Sequence, residues 1–118
     1  MIGFVSSTVF DCADADRLAT FYEAVLGMTR VEDNPDWITI RTPPDGPALA
    51  FQRVEDYTPP RWPGQVVPQQ VHLDIRVDSL DVAEKKVLAL GAVSLDAGTD
   101  TFRVYLDPAG HPFCLVLD

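Results

Sequence analysis

His72 and Asp74 are the pair in this chain best placed to do chemistry. In His72-Leu73-Asp74-Ile75-Arg76-Val77 polar and apolar residues alternate, so a strand presents His72, Asp74 and Arg76 together on one face. An imidazole beside a carboxylate can move a proton near a carbonyl group, with Asp74 or Tyr105 as partner. The plain structural alternative is a His72 that bridges to Asp74 or to a backbone carbonyl. The same alternation sets Trp37 and Thr39 against Ile38 and Ile40, Gln52 against Leu49 and Phe51, Arg103 and Tyr105 against Val104 and Leu106, and Cys114 against Phe113 and Leu115. One face is therefore core, and the other is polar and aromatic. Such a face is expected to line a ligand cavity in which Trp37, Tyr105 and Trp62 stack on a small organic molecule and Asp74 or Asp11 supplies charge. No residue is assigned as catalytic. His111 is expected to make a hydrogen bond within a turn, and Cys114 doubles as a small buried apolar side chain.

The elements that must carry these residues come in two matching sets. A β-branched and aromatic run over Phe4 to Phe10 predicts a strand. Asp14 then caps a helix in which Leu18, Phe21, Tyr22, Val25 and Leu26 recur at helical spacing, and Gly27 ends it. Strands over Met28 to Glu32, Trp37 to Arg41 and Ala48 to Val54 follow, separated by turn compositions rich in Pro, Asp and Gly. The order restarts with a strand over Val71 to Val77 and a helix capped by Asp78 or Ser79, carrying Leu80, Val82, Ala83, Val87, Leu88 and Leu90 and closed by Gly91. Three strands over Val93 to Leu95, Phe102 to Leu106 and Phe113 to Leu117 complete it. Each set reads βαβββ.

The fold class expected is α+β: two βαβββ modules, about 1–55 and 70–118, in a single domain spanning 1–118, forming a curved mixed sheet with a cleft and helices outside. The proline-rich stretch of about 56–69 reads as the linker between them. With 118 residues, 47% hydrophobic, the chain can bury one core. No apolar run is long enough to cross a bilayer, and the first ten residues lack the pattern of a signal peptide, so a cytoplasmic location is expected. Cys12 and Cys114, far apart in sequence, suit reduced thiols. Nine Lys and Arg against 18 Asp and Glu, a formal net charge of -9, argue against nucleic acid or an anionic membrane as partner. The same field favours the approach of small cations.

Phe21-Tyr22 ahead of Val25-Leu26-Gly27, the strand Leu49-Ala50-Phe51-Gln52-Arg53-Val54, His72-Leu73-Asp74 followed by Asp78, Leu90-Gly91-Ala92, and the closing DPAGHPFCL together resemble the vicinal oxygen chelate superfamily, in particular its small glyoxalase-like proteins. That superfamily also holds glyoxalase I, extradiol dioxygenases, fosfomycin-modifying transferases and bleomycin-binding resistance proteins, so the resemblance specifies fold more than activity. It also implies a homodimer. Its metal-binding members take ligands from the first and last strand of each module, commonly His, Gln or Glu. Carried over position by position, the resemblance points to Ser7, Gln52, His72 and Cys114, with Cys114 where a Glu is usual. Ser7 and His72 are offset almost as far as Gly27 and Gly91, in keeping with the repeat. Two neutral oxygen donors, one imidazole and one thiol make a poor site for a hard divalent cation. No cofactor or metal is therefore expected. The function expected is metal-independent binding of a small metabolite or antibiotic in the cleft. The alternatives are a glyoxalase-type lyase or isomerase acting on a small carbonyl compound through His72, and a dimeric interaction module with a vestigial site.

Overall fold

The structure, a computed structural model, describes residues 1–117. The chain divides into two compact units, one over Met1–Tyr57 and a second that begins at Thr58. The first contains β1 (Thr8–Cys12), α1 (Ala15–Leu26), β2 (Thr29–Asn34), β3 (Trp37–Arg41) and β4 (Ala48–Arg53). The second contains β5 (Leu73–Arg76), α2 (Leu80–Ala89), β6 (Val93–Gly98), β7 (Phe102–Leu106) and β8 (Pro112–Val116). Their sheets have matching strand orders, β1-β4-β3-β2 and β5-β8-β7-β6. In each, the first strand runs parallel to the last and the other pairings are antiparallel. The expected α+β repeat is thus present, built as two four-stranded mixed sheets rather than one.

In the first unit the predicted caps form. The Asp14 carboxylate accepts a hydrogen bond from the Arg17 amide at 3.0 Å, and Gly27, at φ 65°, closes the helix by donating its amide to the Glu23 carbonyl. The apolar stripe of α1 buries Leu18, Phe21 and Tyr22. Tyr22 stacks on Phe51 of β4 at 5.7 Å between ring centroids and on Phe10 of β1 at 6.2 Å. Burial of each such ring stabilises the unit by about 1.5–3 kcal/mol. Arg30 of β2 ties sheet to helix, donating to Glu23 at 2.6 Å and to Asp16 at 2.8 Å.

β1 begins later than the residue types of Phe4 to Phe10 suggest and continues through Asp11 and Cys12. Pairing decides this: β4 offers partners to Thr8 through Cys12, from Leu49 to Arg53, and none to the β-formers ahead of them. Strand propensity without a neighbouring ladder does not make a strand.

In the second unit Ser79, not Asp78, is the N-cap, accepting from the Val82 amide at 3.3 Å. Leu80 and Val87 of α2 are buried on the side of the sheet that carries Ile75, Tyr105, Phe113 and Leu115. The β7–β8 hairpin turns on Asp107, a buried carboxylate that accepts hydrogen bonds from the Ala109 and His111 amides at 2.9 and 3.0 Å and pairs with His111 Nδ1 at 2.8 Å. His111 therefore has the structural role expected of it. The proline-rich stretch is not free chain: from Thr58 onward it belongs to the second unit, and a Cβ added at Gly110 would lie 2.8 Å from the Cβ of Pro59.

Candidate functional site

The two faces of the second sheet are told apart by the antiparallel register of β7 with β8. Val104 opposes Cys114 and Phe102 opposes Val116, while Tyr105 opposes Phe113 and Arg103 opposes Leu115. Directly opposed residues share a face. Tyr105 stacks on Phe113 at 5.5 Å, and its hydroxyl donates to Glu84 of α2 at 2.8 Å. Arg103 reaches Asp81 and Glu84 of the same helix at 2.8 and 3.1 Å. Burial first, and then the Glu84 carboxylate, pushes the Tyr105 phenol up to about 12. Arg103 and Tyr105 are thus side chains of the helix side, which corrects their expected place among the cavity residues. Tyr105 is core because its ring packs on Phe113 while its one polar atom finds a carboxylate.

The opposite face holds a pocket of about 450 Å³. Its floor is Phe102 and Val104 of β7 with Cys114 and Val116 of β8; Thr101 and Trp62 contribute walls, and His72 and Asp74 form its polar edge. Four of the residues singled out from sequence therefore meet here: Trp62, His72, Asp74 and Cys114. Parallel pairing of β5 with β8 sets Asp74 beside Cys114, and His72, just ahead of β5, lies with its Nε2 3.4 Å from Asp74 Oδ1. Desolvation first, and then the charge of Asp74 together with a hydrogen bond to it, pushes the Cys114 thiol from its usual 9.0 up to about 11. At neutral pH that thiol is protonated, so it is neither an activated nucleophile nor a ready thiolate.

The other four, Ser7, Asp11, Trp37 and Gln52, lie in the first unit. Trp37 opposes Gln52 across β3 and β4, and Asp11 of β1 flanks Gln52, all on the face away from α1. Trp37 Nε1 donates to Thr39 Oγ1 at 3.0 Å, and that hydroxyl donates to Glu32 at 2.7 Å. Ser7 lies immediately before β1, outside the strand, and is half-buried.

The donor set is richer than the sequence suggested. Counting only Ser7, Gln52, His72 and Cys114 leaves no carboxylate, whereas the fold brings Asp74 in beside His72 and Cys114: these three each offer an atom within 4.8 Å of the others. One carboxylate and one imidazole next to a soft thiol still fall short of the six or more oxygen donors a hard divalent ion prefers. These residues do not fit such an ion. The pocket residues missed from sequence are Thr101, Phe102, Val104 and Val116, and a usable signal existed. A hairpin closed by Leu106 against Pro112 forces Val104 onto the same face as Cys114.

The profile of the Glyoxalase-like domain matches residues 7–116 of the chain. No curated protein matches it significantly. Among solved structures, a glyoxalase/bleomycin resistance protein/dioxygenase family enzyme from Burkholderia phytofirmans PsJN is similar with a TM-score of 0.73 at 18% identity, covering 96% of this chain and 97% of that one. A mutant of the genomically encoded fosfomycin resistance protein FosX from Listeria monocytogenes, complexed with Mn(II) and 1S,2S-dihydroxypropylphosphonic acid, has a TM-score of 0.73 at 12% identity, covering 99% and 91%. A glyoxalase-related enzyme from Fulvimarina pelagi has a TM-score of 0.67 at 21% identity, covering 96% and 88%. At these identities the structural similarity speaks for the fold, and the profile match for the family. The chain belongs to the glyoxalase-like domain family.

Proposed function

We propose that the protein binds a small organic molecule, a metabolite or an antibiotic, in the pocket of its second unit, without a metal ion. The observation that carries this reading is an open pocket of about 450 Å³ whose apolar floor ends at a His72–Asp74 edge. That size and that mix of many apolar groups with few polar ones suit a ligand rather than packed core. The same observation counts against an interaction module with a vestigial, collapsed site. Nothing in the binding chemistry calls for an electrophilic metal: Phe102, Val104 and Trp62 offer contact area, and His72 and Asp74 orient. A homodimer and a cytoplasmic location belong to the same reading, supported by the family resemblance and by the sequence.

The 3.4 Å approach of His72 to Asp74 favours one competing reading, proton transfer to or from a carbonyl compound by a carboxylate-oriented imidazole. A thermal-shift screen of natural products and aldehyde adducts separates the two, because a ligand raises the melting temperature only by binding the native state. The expected result is saturable stabilisation without turnover, unchanged after treatment with a chelator and weakened in His72→Ala. Turnover abolished by His72→Ala favours the enzyme, and binding lost on chelation overturns metal independence.

A further inference from the structure

Resting on that reading of the pocket, we infer that its ligand is an organic cation: a primary or secondary ammonium group paired with Asp74 and carried on an apolar or aromatic body that lies against Trp62 and Phe102. Among the described residues Asp74 is the one acidic residue in the wall, and no Lys or Arg lines the pocket to neutralise it. Arg76, two positions along β5 on the same face, is outside the wall. Cys114 lies beside it across the β5–β8 pair, and His72 stands 3.4 Å from a single oxygen, Oδ1.

Charge sign follows from the cost of filling the pocket. A neutral ligand seated over Phe102, Val104 and Val116 would take water from the carboxylate and return at most an ordinary hydrogen bond, and an anion would add repulsion. An ammonium group replaces the lost water with charge-assisted hydrogen bonds. Trp62 and Phe102 both line the wall, and an aromatic ring attracts a cation placed over its face. The net charge of -9 draws cations toward the protein from a distance. Asp74 keeps 60% of its side chain exposed, so its pairing is partly screened and its contribution is selectivity rather than tight binding.

The test is a protein-observed NMR titration with three probes of matched shape, 2-phenylethylamine, 2-phenylethanol and phenylacetate, at pH 7 and low salt. The amine is expected to perturb the signals of Asp74, Val104 and Cys114 and to bind about fivefold more tightly than the alcohol, with phenylacetate weakest. Asp74→Asn, isosteric at an exposed side chain, is expected to bring the amine within about twofold of the alcohol, chiefly by weakening the amine. Equal affinities, or a preference for phenylacetate, would overturn the cation assignment and leave the pocket reading standing. No perturbation of the pocket by any of the three would overturn both. An amine preference that survives Asp74→Asn would place the charge elsewhere and overturn the role given to Asp74.

Discussion

Asp74 changes the character of the residues around it. Sequence alternation placed it with His72 on one strand face, but only the parallel register of β5 with β8 puts its carboxylate against Cys114. Next to an anion, and half enclosed by apolar side chains, a thiol holds its proton. Cys114 is accordingly expected to react slowly with iodoacetamide at pH 8, to gain reactivity as pH rises toward about 11, and to react faster at pH 8 in Asp74→Asn. Alkylation followed by mass spectrometry of the Cys114 peptide measures this. Fast labelling at pH 8, insensitive to Asp74→Asn, would refute the account. His72 was legible as a polar residue facing a cavity, whereas its partner was not, since bridging to Asp74 and contacting a ligand fit the same sequence.

At the scale of elements, the hairpin between β7 and β8 is held together by Asp107. Asp107 is buried, yet its carboxylate accepts two backbone amides and faces His111, so its charge is matched by donors throughout. Asp107→Ala would leave those donors without an acceptor in a turn that Pro59 covers, and it is expected to cost about 1–3 kcal/mol of stability, read as a lower urea midpoint at unchanged slope. An unchanged midpoint would show that water replaces the carboxylate. Tyr105 shows the limit of reading elements one at a time. Val104 and Leu106 look more apolar than Arg103 and Tyr105, which suggests that the valine side is core. The hairpin register reverses this, because phase across a ladder belongs to the pair of strands and not to either one. Trp37 to Arg41 carried its own answer, with Ile38 and Ile40 buried as the alternation requires.

At the scale of the whole molecule, Tyr105 and Cys114 both bind their protons more tightly in the folded state than their ordinary values of 10.0 and 9.0. Their contribution to stability is complete below those values and is lost as pH climbs toward about 12 and about 11. The melting temperature is therefore expected to fall over alkaline pH from about 9 upward, and to fall less steeply in Tyr105→Phe, whose ring still packs on Phe113. Calorimetry across that range checks it, and parallel profiles for the two proteins would remove Tyr105 as a cause.

The sequence by itself determined the repeated βαβββ order, the helix caps at Asp14 and Gly27 and the family, because caps and periodicity are local and report on neighbours a few residues away. Even the odd place of Cys114 in the closing motif was legible there. Tertiary structure alone decided that β1 starts at Thr8, that Tyr105 and Arg103 turn to the helix, that the proline-rich stretch lends Trp62 to a pocket, and that a carboxylate stands beside Cys114. Each of these depends on which strand pairs with which and in what register, and those pairings join residues that lie far apart along the chain.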